Sequence, residues 1–385
     1  MHIAMVTGQT LPPERTYQPT GTQSQVVPLA SRLVERGHDV TVYVPSDDDS
    51  STAGSARGVR VEYVDVGTED DDMPARYAAG LRRRWQQEAP DLAHASSWTA
   101  GLATVAAERD DVAFVQDYRD TEGSHLDGQV QRLAAALGQR AERAVVASRA
   151  QADVLARRGV ARGDISVVPY GVDDQLFVPD GSRVEHDGQL RLVCPDGTAD
   201  GHGSDLLIRS LRSVPDAELL IVDYPEGDSA SDQRRDLAAE LDVADRVEVV
   251  DDPPPAELAR LFQSADLVVS TPTTDASIAG CVEAMACGTA VLATSAGGRD
   301  EIVVDKVTGR LVAAEAEQMG ATIHQLLHDP PRRRAYGIAA ADRASVCYSW
   351  DRVAESVEGV YTNALGSGRF SGSRSVGSFR LSSPA

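Results

Sequence analysis

The stretch ADLVVSTPTTDASIAGCVEAMACGTAVLATS (residues 265–295) reads as strand, loop, helix and strand in succession. The apolar runs at 265–272 and 290–295 have the length of buried strands, and the helix-like segment at 279–287 between them ends at Gly288. Two strands joined by a helix pair in parallel, because the chain must cross back over the sheet before the second strand begins. The stretch therefore predicts one βαβ unit of a parallel sheet.

The same alternation of strands and helices runs through the chain twice. Strand-like runs occur at 2–7, 39–45, 59–66, 91–96, 112–117, 143–148, 165–171, 190–195, 217–223 and 246–251. A polar, turn-rich segment at 177–189 separates the two series. We predict an α/β protein with two doubly wound, Rossmann-like domains that face a central cleft, at 1–180 and 188–347. A helix at 348–365 and a Gly/Ser-rich, disordered tail at 366–385 would follow.

The composition limits the partners and the compartment. The net charge is −22, and Lys306 is the only lysine among 37 basic residues, so no nucleic-acid partner is expected. The acidic runs at 46–51 and 68–74 indicate solvated surface rather than an Asp-x-Asp metal site, and the composition resembles that of proteins from salt-accumulating haloarchaea. No apolar run reaches the roughly 18 residues of a membrane span, and the N-terminus does not resemble a signal peptide. We expect a soluble cytoplasmic protein with four reduced cysteines and no transmembrane segment, for which peripheral membrane contact stays open.

Two facing doubly wound domains bring the carboxyl ends of their strands to one cleft, where helix N-termini attract anions such as a nucleotide diphosphate. In the stretch quoted above, Asp275 lies in the loop and Glu283 about one and a half turns into the helix. Ser277, which can cap the helix, Ile278 and Ala279 place backbone N–H groups between them. On spacing alone, the alternative of an exposed helix glutamate and a loop acid stays open.

Several segments together resemble one family. They are Asp275 with VEAMACG at 282–288, GTQ at 21–23, ISVVPYGVDDQLFVP at 165–179, GG at 297–298, EIVVDKVTGRLV at 301–312 and YSWDRVAESVEGVY at 348–361. Up to about residue 365, their order and spacing resemble the retaining family 4 glycosyltransferases of GT-B fold, nearest to the sucrose-phosphate-synthase-like branch. The resemblance implies a metal-independent hexosyltransferase that uses a nucleotide-diphosphate sugar as substrate, needs no cofactor and retains the anomeric configuration. It also implies that the helix at 348–365 returns to the N-terminal domain.

The resemblance assigns roles to single residues. Asp275 and Arg119 would position the donor sugar as the catalytic residues, and Glu283 would hold the donor ribose. The other donor-binding positions are Gly21, Thr22, His202, Gly203, Ser277, Ile278 and Ala279. The acceptor (a sugar, a lipid or a small molecule) and the donor base cannot be read from the sequence.

The diphosphate site departs from the family pattern. The family's Arg and Lys correspond to Gly197 and His202 here, and three carboxylates add negative charge nearby (Asp196, Asp200, Asp205). Positive charge normally stabilises the leaving diphosphate, so the loss of these two cations supports an alternative to the transferase. In that alternative the chain is a degenerate, non-catalytic relative that binds a nucleotide or a protein partner. A phosphorylase or an epimerase has no supporting feature in the sequence.

Overall fold

The computed structural model of the chain describes residues 1–8, 25–47, 54–56, 58–67, 73–107, 109, 111–119, 128–182, 184, 189–195, 202–223, 229–271, 278–295 and 298–366. It contains two sheets, each covered by helices on both faces, so the predicted α/β class with two doubly wound units is confirmed. We call these units the first lobe and the second lobe.

The first lobe is built on an eight-stranded sheet. Its strands are β1 (His2–Val6), β2 (Asp39–Ser46), β3 (Gly54–Ala56), β4 (Val59–Asp65), β5 (Leu92–Ala95), β6 (Ala113–Asp117), β7 (Arg143–Val146) and β8 (Ile165–Val167). Their spatial order is β3-β4-β2-β1-β5-β6-β7-β8, and β3 pairs antiparallel with β4 while the other pairs are parallel. The connecting helices are α1 (Val26–Glu35), α2 (Met73–Gln87), α3 (Trp98–Ala106), α4 (Gly128–Arg140) and α5 (Arg149–Arg157).

The second lobe is built on a six-stranded parallel sheet. Its strands are β9 (Leu190–Cys194), β10 (Ala217–Asp223), β11 (Val247–Asp251), β12 (Leu267–Ser270), β13 (Val291–Thr294) and β14 (Gly309–Val312), in the order β11-β10-β9-β12-β13-β14. Its helices are α6 (His202–Ser210), α7 (Ser229–Glu240), α8 (Pro255–Ser264), α9 (Ala279–Ala286), α10 (Arg299–Ile302), α11 (Ala316–Leu327) and α12 (Pro330–Tyr348).

Strand and helix patterns in the sequence explain these elements. Seven of the eight residues of β2 are buried, as expected for a strand covered on both faces. In α2 the buried residues Tyr77, Leu81 and Trp85 recur every four positions and form one apolar face. Helix α1 begins at Val26, so Pro28 lies in the first turn, where its missing N–H is not needed. The helix ends at Glu35, and Gly37, just beyond its C-cap residue Arg36, has the left-handed φ of 91°.

Helix α13 (Trp350–Gly366) leaves the second lobe and packs on the first. Its buried residues Val353, Val357 and Tyr361 lie in the same apolar cluster as β1, β2 and α1. At the surface, Glu358 accepts hydrogen bonds from Arg36 (2.7 Å) and from the His38 ring (2.8 Å). The C-terminal part of the chain therefore contacts the first lobe through α13, in addition to the covalent link between the two lobes. Within the described residues, no helix combines the length and the hydropathy that crossing a bilayer requires.

Candidate active site at the switch point of the second sheet

The strand order of the second sheet reverses at β9, because successive strands are added first on one side of β9 and then on the other. Strand β10 pairs with one side of β9 and strand β12 with the other. The connections that follow β9 and β12 therefore run to opposite faces of the sheet, and a crevice forms between them at the carboxyl edge. Open parallel sheets bind their ligands at such a position, which we call the switch point.

Helices α6 and α9 begin side by side at the switch point. The hydroxyl of Thr271, just after β12, donates a 2.7 Å hydrogen bond to the carbonyl oxygen of Gly203 at the start of α6. A Cβ atom on Gly280, in the first turn of α9, would lie 2.5 Å from Cβ of Pro195, which follows β9. Only glycine permits this approach. Because the first N–H groups of a helix have no intrahelical acceptor and carry the positive end of the dipole, two adjacent helix starts favour an anion.

Glu283 is the fifth residue of α9, and its side chain is half-buried. Among the residues that the structure describes, its carboxylate has no hydrogen-bond or ion-pair partner. Burial raises the pKa of Glu283 to about 7, because the charged carboxylate loses part of its hydration. A ligand that brings hydroxyl donors would restore the lost hydrogen bonds, so the site suits a diol such as a ribose.

The raised pKa of Glu283 predicts a pH-dependent affinity for such a ligand. Hydroxyl donors favour the ionised carboxylate, and the ionised fraction grows as pH rises through the pKa of about 7. We expect affinity for a nucleoside diphosphate to increase about tenfold between roughly pH 6 and pH 8. Titration calorimetry across this range measures the increase. The Glu283→Gln variant is the reference, since it removes the Glu283 carboxylate and keeps every other source of pH dependence, including the nucleotide's own phosphates. Parallel pH profiles for the two proteins would contradict the assignment.

On the first lobe, a buried polar network ends strand β6 at the carboxyl edge of its sheet. Asp117 accepts hydrogen bonds from Nη2 of Arg119 (2.7 Å) and from Nε2 of His94 (3.0 Å), and Nδ1 of His94 lies 2.6 Å from the hydroxyl of Tyr361. Burial is the largest single influence on Asp117 and would raise its pKa, but the charge of Arg119 and the contacts of Arg119 and His94 together outweigh it and hold that pKa far below its usual value. Asp117 is therefore ionised and accepts from Nε2 of His94, while Nδ1 of His94 is hydrogen-bonded to the Tyr361 hydroxyl.

The network predicts that Tyr361→Phe destabilises the protein by about 1–3 kcal/mol. The change leaves Nδ1 of His94 buried without its hydrogen-bond partner, and an unsatisfied buried polar atom carries a cost of this size. Tyr336→Phe is the matched control, because the Tyr336 hydroxyl makes no hydrogen bond to the described residues. Urea unfolding followed by circular dichroism measures both variants. Equal midpoints for Tyr361→Phe and Tyr336→Phe would show that the network does not stabilise the fold.

Arg119 is 3% exposed, and its guanidinium group already faces Asp117 through two of its nitrogen atoms. Its carbonyl oxygen also accepts a hydrogen bond from the hydroxyl of Tyr170. The residue is thus at the expected edge of the first sheet, but its charge is paired. A direct contact between Arg119 and a donor sugar stays a prediction.

Other predicted site residues are placed less completely. Ile278 is the N-cap residue of α9 and Ala279 its first residue, and no side chain caps the helix, so α9 begins one residue later than a Ser277 cap would set. The Ile278 side chain is buried in the second-lobe core, which leaves its backbone for ligand contact. Gly203 is described and lies in the first turn of α6. Four other predicted site residues lie outside the described residues: Gly21, Thr22, Asp275 and Ser277. For His202 the structure describes the backbone, as the first residue of α6, but not the side chain.

The two lobes meet beside the switch point. Oε1 of Glu301, in α10, accepts hydrogen bonds from the backbone N–H groups of Arg149 (2.8 Å) and Ala150 (3.3 Å) in the first turn of α5. A Cβ atom on Gly298, which has a φ of 76°, would lie 2.8 Å from Cβ of Ser148. Helix α5 follows β7 and helix α10 follows β13, so the carboxyl edges of the two sheets face each other. Glu301 was not among the site residues predicted from the sequence.

Two buried arginines near the switch point were also not predicted from the sequence. Arg234, in α7 and 1% exposed, donates to Asp223 (2.7 Å) and to the hydroxyl of Ser204 (3.0 Å) in α6. Arg299, at the start of α10, is fully buried and donates to the hydroxyl of Ser270 (2.7 Å) at the end of β12. Arginines in polar helices usually lie on the protein surface, and nothing in the neighbouring sequence indicates that these two are buried. They place two buried positive charges at the carboxyl edge of the second sheet.

Comparisons with known proteins agree with this geometry. Residues 20–171 match the glycosyl transferase 4-like domain, and residues 200–343 match the glycosyl transferases group 1 domain. A D-inositol 3-phosphate glycosyltransferase of Kineococcus radiotolerans is 30% identical, over 90% of this chain and 91% of the relative. The chain belongs to the family 4 glycosyltransferases. A relative of the same description from Stackebrandtia nassauensis is 29% identical to this glycosyltransferase, over 94% of the chain and 91% of the relative.

Solved structures show that this glycosyltransferase has the GT-B fold. Sucrose-phosphate synthase from Thermosynechococcus elongatus superposes with a TM-score of 0.81 at 19% identity, covering 95% of this chain and all of the other. Anabaena HepE in complex with UDP-glucose superposes with a TM-score of 0.75 at 16% identity, covering 94% and 99%. The family and the fold predicted from the sequence motifs are thereby confirmed.

Proposed function

We propose that this chain transfers a hexosyl group from a nucleoside-diphosphate sugar to an acceptor hydroxyl, without a metal and with retention of configuration. The observation that carries the proposal is the half-buried Glu283 carboxylate, which has a raised pKa and lies one and a half turns behind two adjoining helix starts. This spacing suits a nucleoside diphosphate, since the ribose diol would reach Glu283 while the phosphates meet the N–H groups of α6 and α9.

The proposed chemistry is a displacement on one face of the donor sugar. The bond between the anomeric carbon and the diphosphate oxygen breaks while the acceptor oxygen bonds to the same face of that carbon. The acceptor hydroxyl gives its proton to the leaving phosphate oxygen, so no enzymic base is required. Asp275 would bind hydroxyls of the donor sugar, and the helix-start N–H groups, with His202 beside them, would stabilise the negative charge that develops on the diphosphate.

Two buried arginines partly compensate for the cations of the family pattern that are missing here. Gly197 and His202 stand where the family has cations, but Arg234 and Arg299 bring two buried guanidinium groups to the same edge of the sheet. Arg234 is largely neutralised by Asp223. We propose that the helix-start N–H groups make the main contribution to diphosphate binding, and that the two arginines reduce the repulsion from nearby carboxylates.

The relatives suggest a first acceptor. Two relatives that cover nine-tenths or more of the chain are D-inositol 3-phosphate glycosyltransferases. We propose a polyol, tested first as D-inositol 3-phosphate, as the acceptor class. The protein is incubated in molar potassium chloride with UDP-, GDP- or ADP-glucose, with and without this acceptor and with a metal chelator. Release of free nucleotide and the anomeric configuration of the product, read by NMR, are measured.

We expect acceptor-dependent release of one nucleotide that the chelator does not reduce, a product with the donor's anomeric configuration, and a loss of release in Asp275→Asn. A second candidate function is the non-catalytic nucleotide-binding relative, which is favoured by Asp205 in the first turn of α6, where it competes with an anionic ligand. Saturable nucleotide binding without release from any sugar donor would support that candidate and contradict the transferase.

A further inference from the structure

A second cluster of ligating side chains lies at the opposite edge of the first sheet, away from the switch point. His2 is the first residue of β1, Asp39 is the first residue of β2, and Glu88 follows the last residue of α2. One ligating atom of each residue, a ring nitrogen or a carboxylate oxygen, lies within 4.8 Å of the other two. Three separate elements thus bring one imidazole and two carboxylates to a single point.

One hydrogen bond of the His2 ring indicates where its hydrogen lies. Nδ1 lies 3.2 Å from the carbonyl oxygen of Ala89, and because a carbonyl only accepts, Nδ1 carries the hydrogen. Nε2 is buried and has no hydrogen-bond partner in the described part of the chain. In the tautomer with its hydrogen on Nδ1, the ring has an unused lone pair on Nε2. A backbone carbonyl that accepts from the other ring nitrogen is the usual orienting contact of a metal-bound histidine.

The charges around the ring favour a cation. Asp39 and Glu88 are exposed carboxylates, and Asp91 lies close by, accepting a 2.7 Å hydrogen bond from the backbone N–H of His2. Arg60 brings a positive charge to this group, and its Nη1 lies 3.3 Å from Oε2 of Glu88 in a solvent-exposed pair. Such an exposed pair is weak and leaves the second oxygen of Glu88 for another partner.

We propose that His2, Asp39 and Glu88 form a binding site for a divalent transition-metal ion such as Zn²⁺. Zinc accepts imidazole nitrogen and carboxylate oxygen at about 2.0–2.2 Å, so the ligand atoms must draw together by about an ångström, which exposed carboxylates can do. Water would complete the coordination. Because the site joins β1, β2 and the end of α2 at the edge remote from the switch point, the ion would stabilise the first lobe and would take no part in glycosyl transfer.

Calorimetric titration of Zn²⁺ tests the site. The protein carries no affinity tag and has Cys347→Ser as background, since the other three cysteines are buried and Cys347 is partly exposed. We expect one strongest site, weakened about tenfold or more in both His2→Ala and Asp39→Asn. His328→Ala is the matched control. His328 is an exposed histidine whose Nε2 lies 3.8 Å from Asp216 and whose ring lies beside that of His324, and this variant should keep the strongest site.

Thermal unfolding supplies an independent measurement. We expect Zn²⁺ to raise the unfolding midpoint by several degrees in the wild type and in His328→Ala, and to leave that of Asp39→Asn nearly unchanged. Asp39 is exposed, so this variant keeps the test valid even if His2→Ala does not fold. Equal Zn²⁺ affinity in Asp39→Asn and wild type, loss of the strongest site in His328→Ala, or no saturable binding would each overturn the proposal.

Discussion

Replacing Glu283 by glutamine is expected to weaken nucleoside-diphosphate binding about 10- to 100-fold. A hydrogen bond to a charged acceptor contributes about 1.5–3 kcal/mol, and each 1.4 kcal/mol corresponds to roughly a factor of ten in affinity. Glutamine keeps the size of the side chain but replaces one acceptor oxygen by a donor, so one ribose hydroxyl loses its partner. Titration calorimetry in molar potassium chloride near pH 8, with UDP, GDP and ADP in turn, gives the two dissociation constants.

The Glu283→Gln protein should fold at least as stably as the wild type under these conditions. Since burial raises the pKa of Glu283 to about 7, above its ordinary value, ionising the carboxylate costs stability, and that cost is complete above about pH 7. Lost binding therefore cannot be attributed to unfolding. Glu317→Gln, at an exposed position in the first turn of α11, is the control and should bind as the wild type does. Equal affinities for Glu283→Gln and Glu317→Gln would place the ribose elsewhere.

Gly337→Ala is expected to destabilise the second lobe by about 3 kcal/mol. Gly337 lies in α12 against the end of α9, and a Cβ atom there would lie 2.0 Å from the carbonyl oxygen of Gly288. That oxygen belongs to the backbone of a residue with a φ of 71°, so it cannot rotate away as a side chain would. The two helices would have to separate, and overpacking of this kind typically costs about 1–3 kcal/mol, more where backbones collide. Displacing α9 would also move Glu283, so nucleotide affinity should fall as well.

Gly359→Ala, in another helix, is expected to change the stability of the protein in the opposite direction. Gly359 lies in α13, and no atom of the described residues lies within 4 Å of a Cβ atom built on it. Alanine is favoured over glycine in a helix interior by about 0.5–1 kcal/mol, so this variant should be slightly more stable than the wild type. Urea unfolding followed by circular dichroism measures both. Shifts of the unfolding midpoint in the same direction would contradict the packing described for α9 and α12.

The regular part of the fold is predictable because parallel strands covered on both faces have nearly continuous apolar sequences. Strand β10 has the predicted bounds, 217–223, and β2 differs by one residue at its end. Strand β3 was missed, since Gly54–Ala56 has no apolar pattern and becomes a strand through its antiparallel pairing with β4. Pairing across an edge depends on the neighbouring strand more than on the strand's own residues.

The candidate site was predictable only where its residues lie in one continuous motif. Glu283 stands out because its motif runs through α9 into β13, and its distance from the helix start can be counted along the sequence. The network around Asp117 could not be found this way, because His94 and Tyr361 lie 267 residues apart and meet only when α13 packs on the first lobe. Buried charge pairs such as Arg234 with Asp223 depend in the same way on tertiary contacts.

The central claim is that a nucleoside-diphosphate sugar binds at the switch point of the second sheet, with its ribose on Glu283. A crystal structure of the protein soaked with UDP, or with the nucleoside diphosphate that binds tightest in calorimetry, tests the claim most directly. We predict both ribose hydroxyls within hydrogen-bond distance of the Glu283 carboxylate and the phosphates at the first turns of α6 and α9. A nucleotide bound elsewhere, or a Glu283 carboxylate that turns to solvent and leaves the ribose without contact, would contradict it.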